Sequence, residues 1–286
     1  IVAKIGNNAY GKLQVAIDAV NANNVQTTII LQKDINEAVV ISKNQNIVFD
    51  LQNFKISSKG NKQVITNNGT LAISNGTVES DVEFATIDNN SGAKLMISGG
   101  NIISTGTRGA VYNKGGTVEI SGSAYLTSTA SGKPENSKFD RATINNTENG
   151  KLIITGGEII ATGTDTSKAI YSTAGVINIG LKDGNISDAP LITGQGNSIE
   201  ISSTSTLNLY DGILKGKICA IQGDITDIEE QSELVIGEQE EYETVSLISK
   251  DTALAEVNGN QYYSLKEAID NISGTATVKI LRKGIV

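Results

Sequence analysis

Between Ile47 and Leu214 the chain states one pattern six or seven times. The clearest copies are Gly69-Thr-Leu-Ala-Ile-Ser-Asn-Gly-Thr-Val78, Ala93-Lys-Leu-Met-Ile-Ser-Gly-Gly-Asn-Ile102 and Gly150-Lys-Leu-Ile-Ile-Thr-Gly-Gly-Glu-Ile159. Each is an alternating apolar strand, a glycine turn and a second short apolar run. A unit repeated at a period in the twenties buries its apolar face only by stacking on the next copy, which is the signature of a solenoid.

Residues two apart share one face of a strand, so apolar pairs mark the inward side. The pairs run Ile47/Phe49, Leu71/Ile73, Leu95/Ile97, Val118/Ile120, Leu152/Ile154, Ile177/Ile179 and Leu207/Leu209, with steps of 24, 24, 23, 34, 25 and 30 residues. A second column reads Phe54, Val78, Ile102, Tyr125, Ile159, Ile186 and Leu214. A third reads Ile65, Ile87, Val111, Ile144, Ile170, Ile192 and Ile221.

Glycines at 76, 100, 157, 184 and 212 precede the second strand, with Gln52 and Ser123 as exceptions. A recurring tight corner at positive φ explains them. Two residues beyond the third column stand Asn67, Asn89, Asn113 and Asn146, then Ser172, Gly194 and Gly223. Asparagine tolerates the left-handed region, and a stacked row can hydrogen-bond along the column, so these four are expected to form a ladder.

Three short strands per turn of about two dozen residues resemble the right-handed parallel β-helix of the pectate-lyase-like superfamily. The expected fold is therefore all-β: a right-handed parallel β-helix solenoid with three short strands per coil and a short N-terminal capping helix. Spacing excludes hexapeptide, leucine-rich and calcium-binding nonapeptide repeats. A sandwich of hairpins would show Asn-Gly turns at closer intervals.

The ends repeat each other. Ala3-Lys-Ile-Gly-Asn-Asn-Ala-Tyr10, followed by Leu13, Ala16, Ile17 and Asp18, returns as Ala255-Glu-Val-Asn-Gly-Asn-Gln-Tyr262, then Leu265, Ala268, Ile269 and Asp270. The offset is 252 without a gap. Leu13, Ala16, Ile17 and Val20 lie on one face of a short helix. Ser264 and Glu267 read as a capping box for the second copy. The chain divides accordingly into an N-terminal cap (1–25), a parallel β-helix (26–252) and a second cap-like strand–helix–strand (253–286). That last unit either closes the C-terminal end or begins a further module. The chain opens within one apolar strand and closes in another, the pattern expected of an excised or processed piece.

This cap, feeding Gly-Thr-Leu-x-Ile-x-Gly-Gly coils, resembles β-helical surface and adhesin-like proteins of Gram-positive, often gut, bacteria. The resemblance covers essentially the whole chain. It implies an extracellular, cell-surface location and partners among host or environmental glycans, surface proteins and neighbouring modules of a longer chain.

Charge excludes other classes. Net charge is −8, but nine acids and no base lie between Asp224 and Glu243, leaving the remainder at +1. A nearly neutral body with three arginines argues against nucleic-acid binding. The acidic stretch is expected to be a solvated edge, and its spacing matches no calcium loop. No metal or cofactor is expected. No run is long and apolar enough to span a membrane, so no membrane insertion is expected. The single Cys219 sits in an apolar stretch and is expected to be a buried thiol.

The superfamily also contains polysaccharide lyases and glycoside hydrolases. Their Asn-Thr-Asp, Asp-Asp, Gly-His-Gly and Arg-Ile-Lys motifs are absent, and the chain has no histidine. Arg108 and Arg141, each just ahead of a third strand in consecutive coils, are the candidate basic pair, with Asp88 and Asp140 as acidic partners. Recognition has other material. The outward positions of the third strand read Thr66, Asp88, Tyr112, Asn145, Tyr171, Thr193 and Gln222, with the two tyrosines two coils apart. The long step at Val118–Leu152 holds an insertion, Ser128–Asp140, whose Lys133, Lys138 and Phe139 are expected beside Tyr112 and Arg108. The leading expectation is a non-catalytic extracellular β-helix module, an adhesin-like scaffold or stalk. The alternative is a carbohydrate-binding or carbohydrate-active protein of the same fold.

Overall fold

The computed structural model describes residues 1–58, 60, 62–132, 141–187, 189–230, 232–250, 253–262 and 265–281. Lys133, Lys138, Phe139 and Asp140 of the insertion, and Ser264, lie outside the described residues. The chain is all-β with two short helices, Leu13–Asp18 and Leu265–Asp270. Among the described residues no helix is long and apolar enough to cross a membrane.

Eight coils, each contributing one strand to each of three sheets, stack as a parallel β-helix. In the first sheet the apolar pairs fall in exact mutual register: Ile47 opposite Leu71, Leu71 opposite Leu95, Leu95 opposite Val118 and Val118 opposite Leu152. All are at most 1% exposed. The first of the eight coils, Gln26–Ile41, precedes the repeat legible in the sequence.

The second and third columns need correction. Opposite Val78 and Ile102 stand Ile56 and Leu126, so Phe54 and Tyr125 are not the core positions. The corners differ in length. Leu51–Phe54 and Ser121–Ala124 are closed by hydrogen bonds that insert extra residues, and positive φ moves to Gln52, Asn53 and Gly122. The corner after Ile120 holds one extra residue, which flips Tyr125 to the outer face, and the corner after Phe49 holds two, which move the core position from Phe54 to Ile56. Gly76, Gly100, Gly157 and Gly212 do take positive φ directly before their strands, whereas Gly184 does not.

In the seventh coil Ile192 belongs to the second column, opposite Ile159 and Leu214, while Ile199 takes the third. Ile186 lies in a loop between first and second strands, the extra length of that coil.

The structure adds a column. Val64, Thr86, Ala110, Thr143, Ala169, Ser198 and Ala220, each just before a third-column residue, are fully buried. Two consecutive buried residues at one corner break the period of two. The Thr86, Thr143 and Ser198 hydroxyls donate to the carbonyls of Ile103, Ile160 and Ile192 at 2.8, 2.9 and 2.8 Å, so polar groups enter the core satisfied.

The N-terminal end is closed by the hairpin Ala3–Ile5/Asn8–Tyr10 and by the first helix. Leu13, Ala16 and Ile17 are buried on the first coil. The helix has no side-chain cap of its own at Lys12. Glu37 of the first coil accepts instead from the backbone N–H groups of Leu13 (3.0 Å) and Gln14 (3.1 Å). Gln45 donates to the carbonyls of Ile17 and Val20 at the other end (2.8 and 2.9 Å). Side chains of the solenoid thus cap groups at both ends of the helix.

At the other end the acidic stretch is a structured hairpin. Ser232–Gln239 pairs antiparallel with Tyr242–Ser249, which in turn pairs with Ile213–Gly216. Val245 and Leu247 join the solenoid core. Four of the acids are used: Glu229 accepts from Asp183 N–H, Glu243 from Ala220 N–H, Asp227 pairs with Lys182 and Glu241 with Lys217. Glu230, Glu233, Glu238 and Glu240 are exposed.

Candidate functional site

The outer face of the third sheet carries the chemistry-bearing row. Thr66, Asp88, Tyr112, Asn145, Tyr171, Glu200 and Gln222 pair in register across seven coils. Glu200 stands where Thr193 was expected; Thr193 faces outward from the second sheet, opposite Ile160. The cause is the loop length of the seventh coil, and the consequence is a second carboxylate on this face.

Two lysine–tyrosine–carboxylate clusters result. Asp88 Oδ2 accepts from Lys114 Nζ and from Gln63 Nε2, both at 2.6 Å, with the Asp88 side chain 5% exposed. Lys114 Nζ also lies 4.7 Å from the Tyr112 ring centroid. Two coils on from Tyr112, Lys168 Nζ lies 5.2 Å from the Tyr171 ring and 3.0 Å from Glu200 Oε2. Glu200 further accepts from Asn197 Nδ2 at 3.0 Å, and Asn197 Nδ2 reaches Gln222 Oε1. A cation over an aromatic face adds about 0.5–2 kcal/mol when partly desolvated.

Asn145 sits between the clusters. Its Nδ2 donates to the Ala142 carbonyl at 3.2 Å, and its Oδ1 is buried with no hydrogen-bond partner among the described residues. Ala85, Gly109 and Ala142, each two residues ahead of its core position, are small and buried beside the row. A Cβ on Gly109 would meet the Ala142 carbonyl oxygen at 1.9 Å, so this corner accepts only glycine.

The two arginines differ. Arg108 is exposed, while Arg141 is half-buried with its Nε buried and without a partner among the described residues. The carboxylates Asp88 and Glu200 are four coil rises apart, about 19 Å at the strand spacing. A hydrolase pair of carboxyl groups needs about 6.5–9.5 Å. These two acids cannot act on one glycosidic bond.

Behind the face runs the asparagine row, fully buried. Asn67 Nδ2 donates to Asn89 Oδ1 (2.8 Å), Asn89 to Asn113 (2.8 Å), Asn113 to Asn146 (2.7 Å) and Asn146 to Ser172 Oγ (3.2 Å). Beyond Ser172 the position is Ile201, opposite it in the next coil, rather than Gly194.

Sequence reasoning missed three features here. Lys114 and Lys168 carry no signal until the row is folded. A cleft of ≈ 400 Å³ on the second sheet, lined by Asn36, Lys55, Ser57, Glu79, Asp81 and Thr105, is bridged by a 2.7 Å Lys55–Glu79 ion pair. Cys219 is half-buried at a strand start rather than in the core, its Sγ donating to Asn197 Oδ1 at 3.2 Å, because Ala220 takes the buried position. Burial and the neighbouring Glu243 and Glu200 push its thiol pKa up, away from nucleophilic use. Among the described residues no cluster of three or more His, Cys, Asp or Glu is placed to hold a metal.

Fold and face together define a parallel β-helical solenoid with one polar, aromatic outer row. No family model matches the chain, and comparison with curated proteins and with solved structures returns no match.

Proposed function

We propose that the chain is a non-catalytic, adhesin-like β-helix module of an extracellular bacterial surface protein, serving as a scaffold or stalk. The observation that carries this reading is the closure of charge on its richest face. Asp88 is bound by Lys114 and Gln63, and Glu200 by Lys168 and Asn197. Groups already paired stabilise and stiffen a surface, whereas an acid–base catalyst needs a titratable group within reach of a substrate proton. The chain also has no histidine. The surface location and the pectate-lyase-like and adhesin-like kinship rest on the sequence resemblance. A screen against plant, host and bacterial polysaccharides should give no turnover. Turnover abolished by Arg108→Ala or Arg141→Ala would overturn the reading.

A carbohydrate-binding reading has its own support. Tyr112 and Tyr171 stand two coil rises apart, about 10 Å at the strand spacing, on either side of Asn145. Aromatic rings flanked by amides suit sugar faces. Glycan-array binding lost in Tyr112→Ala and Tyr171→Ala would favour it, and an empty array would exclude it.

A further inference from the structure

The helices Leu13–Asp18 and Leu265–Asp270 differ only at their second and third residues, Gln-Val against Lys-Glu. Their strands share one register, with Ala3 opposite Tyr10 and Leu31 in the first unit, and Ala255 opposite Tyr262 and Ile280 in the second. The apolar positions nevertheless differ in burial. Ile17 and Leu31 are 0% and 1% exposed, whereas Ile269 and Ile280 are 52% and 48% exposed. Ala268, which packs within the unit itself, is fully buried like Ala16.

The difference marks apolar positions that in the first unit enter the solenoid core. The second unit has its own three-stranded sheet and its own apolar cluster, and no strand of it joins the solenoid sheets. The C-terminal end of the second sheet is already covered by Tyr242–Ser249, with Val245 and Leu247 in the core. A second cap is not required there.

We infer that residues 253–281 are the N-terminal cap of a further β-helix, and that the exposed face of Ile269 and Ile280 receives the remaining strands of that helix's first coil in the same polypeptide. The occupant follows from the duplicate: the identical helix face in the first unit is covered by a β-helix coil. The glutamate that ties one end of the first helix comes from that coil, and the glutamine at the other end from the turn that follows it. The chain is then a link in a tandem array, with one cap per solenoid. This holds whether or not the surface-scaffold reading does.

The test is a transplant in the full chain, replacing residues 1–31 by a second copy of 253–280. The β-helix should melt within about 4 °C of the native protein. Ile269→Asp in the transplanted copy should lower that melting point as Ile17→Asp does in the native chain. The same substitution at the original position 269 should leave it unchanged. As a control on the junction, the native cap carrying Gln14→Lys and Val15→Glu together, whose helix is then identical to the second, should melt with the transplant, below the native protein by the loss of the Gln14 bonds to the Val40 N–H (2.8 Å) and carbonyl (3.1 Å). The inference is overturned if both variants melt like a chain lacking residues 1–31. It is equally overturned if the transplant folds but is insensitive to Ile269→Asp.

Discussion

Asn113 and Asn146 lie 33 residues apart in sequence, across the one coil with a long insertion, and their side chains meet at 2.7 Å. The insertion thus leaves the stacking of the coils undisturbed: Tyr112 and Asn113 stand opposite Asn145 and Asn146. Asn113 also accepts from Asn89 and donates to the Gly116 carbonyl at 2.9 Å. Asn113→Ala removes these bonds, and a longer one from Nδ2 to the Lys151 carbonyl (3.5 Å), at a fully buried position. We expect a loss of about 2–4 kcal/mol, read from the urea midpoint at unchanged slope. A loss below about 1 kcal/mol would show that the row contributes little.

Leu126, not Tyr125, fills the second column of the fifth coil. Leu126 is fully buried, so Leu126→Ala should cost about 2–5 kcal/mol. Tyr125→Ala should cost less than about 1 kcal/mol. Thermal denaturation of the pair separates the two registers, because a one-residue slip would invert the order.

Gly157 has φ +81°, and a Cβ there would stand 2.5 Å from the Ala124 carbonyl oxygen of the coil below. Gly92 has φ +76° with open space around it. Gly157→Ala combines backbone strain with a backbone clash and should cost more than about 3 kcal/mol. Gly92→Ala carries strain alone, about 1 kcal/mol. Comparable losses in melting experiments would mean that the coils separate to accommodate the methyl.

Asp50 accepts from Asn75 Nδ2 (2.8 Å) in the next coil and from Gln52 Nε2 (2.6 Å). The Asn75 bond is the main cause that holds its carboxyl below the usual value, against a smaller opposing effect of burial. A depressed folded-state pKa means that the linked stability is present above the unfolded-state value and is lost as pH falls through the folded one. Asn75→Ala should therefore move the Asp50 titration upward and remove that acid-limb component. Carboxyl NMR titration reads the midpoint directly; an unmoved midpoint would reject the assignment.

Much of the architecture was readable before folding. The pairs Leu71/Ile73, Leu95/Ile97 and Leu152/Ile154 mark the first sheet, since a period of two within a period in the twenties admits few folds. The cap helix was legible from Leu13, Ala16 and Ile17 for the same reason. Tyr125, Ile186 and Ile192 were placed wrongly because corner length has no strong residue signature: Gln52-Asn53 and Gly122 turn the chain as glycine does elsewhere. The acidic stretch was read only as a solvated edge because the two buried apolar residues of its hairpin, Val245 and Leu247, follow a run of glutamates.

The candidate face was half legible. Its tyrosines, Asp88 and Asn145 follow from counting one residue past each core position. Lys114, Lys168 and Glu200 do not, because a flexible side chain finds its partner only once neighbouring coils are stacked. By itself the sequence determined a stacked solenoid and a duplicated strand–helix–strand unit, since periodic burial is encoded residue by residue. Only the tertiary structure decided which residues face out together and which charges neutralise one another. Those relations join residues about 25 apart in sequence, at distances set by the rise of one coil.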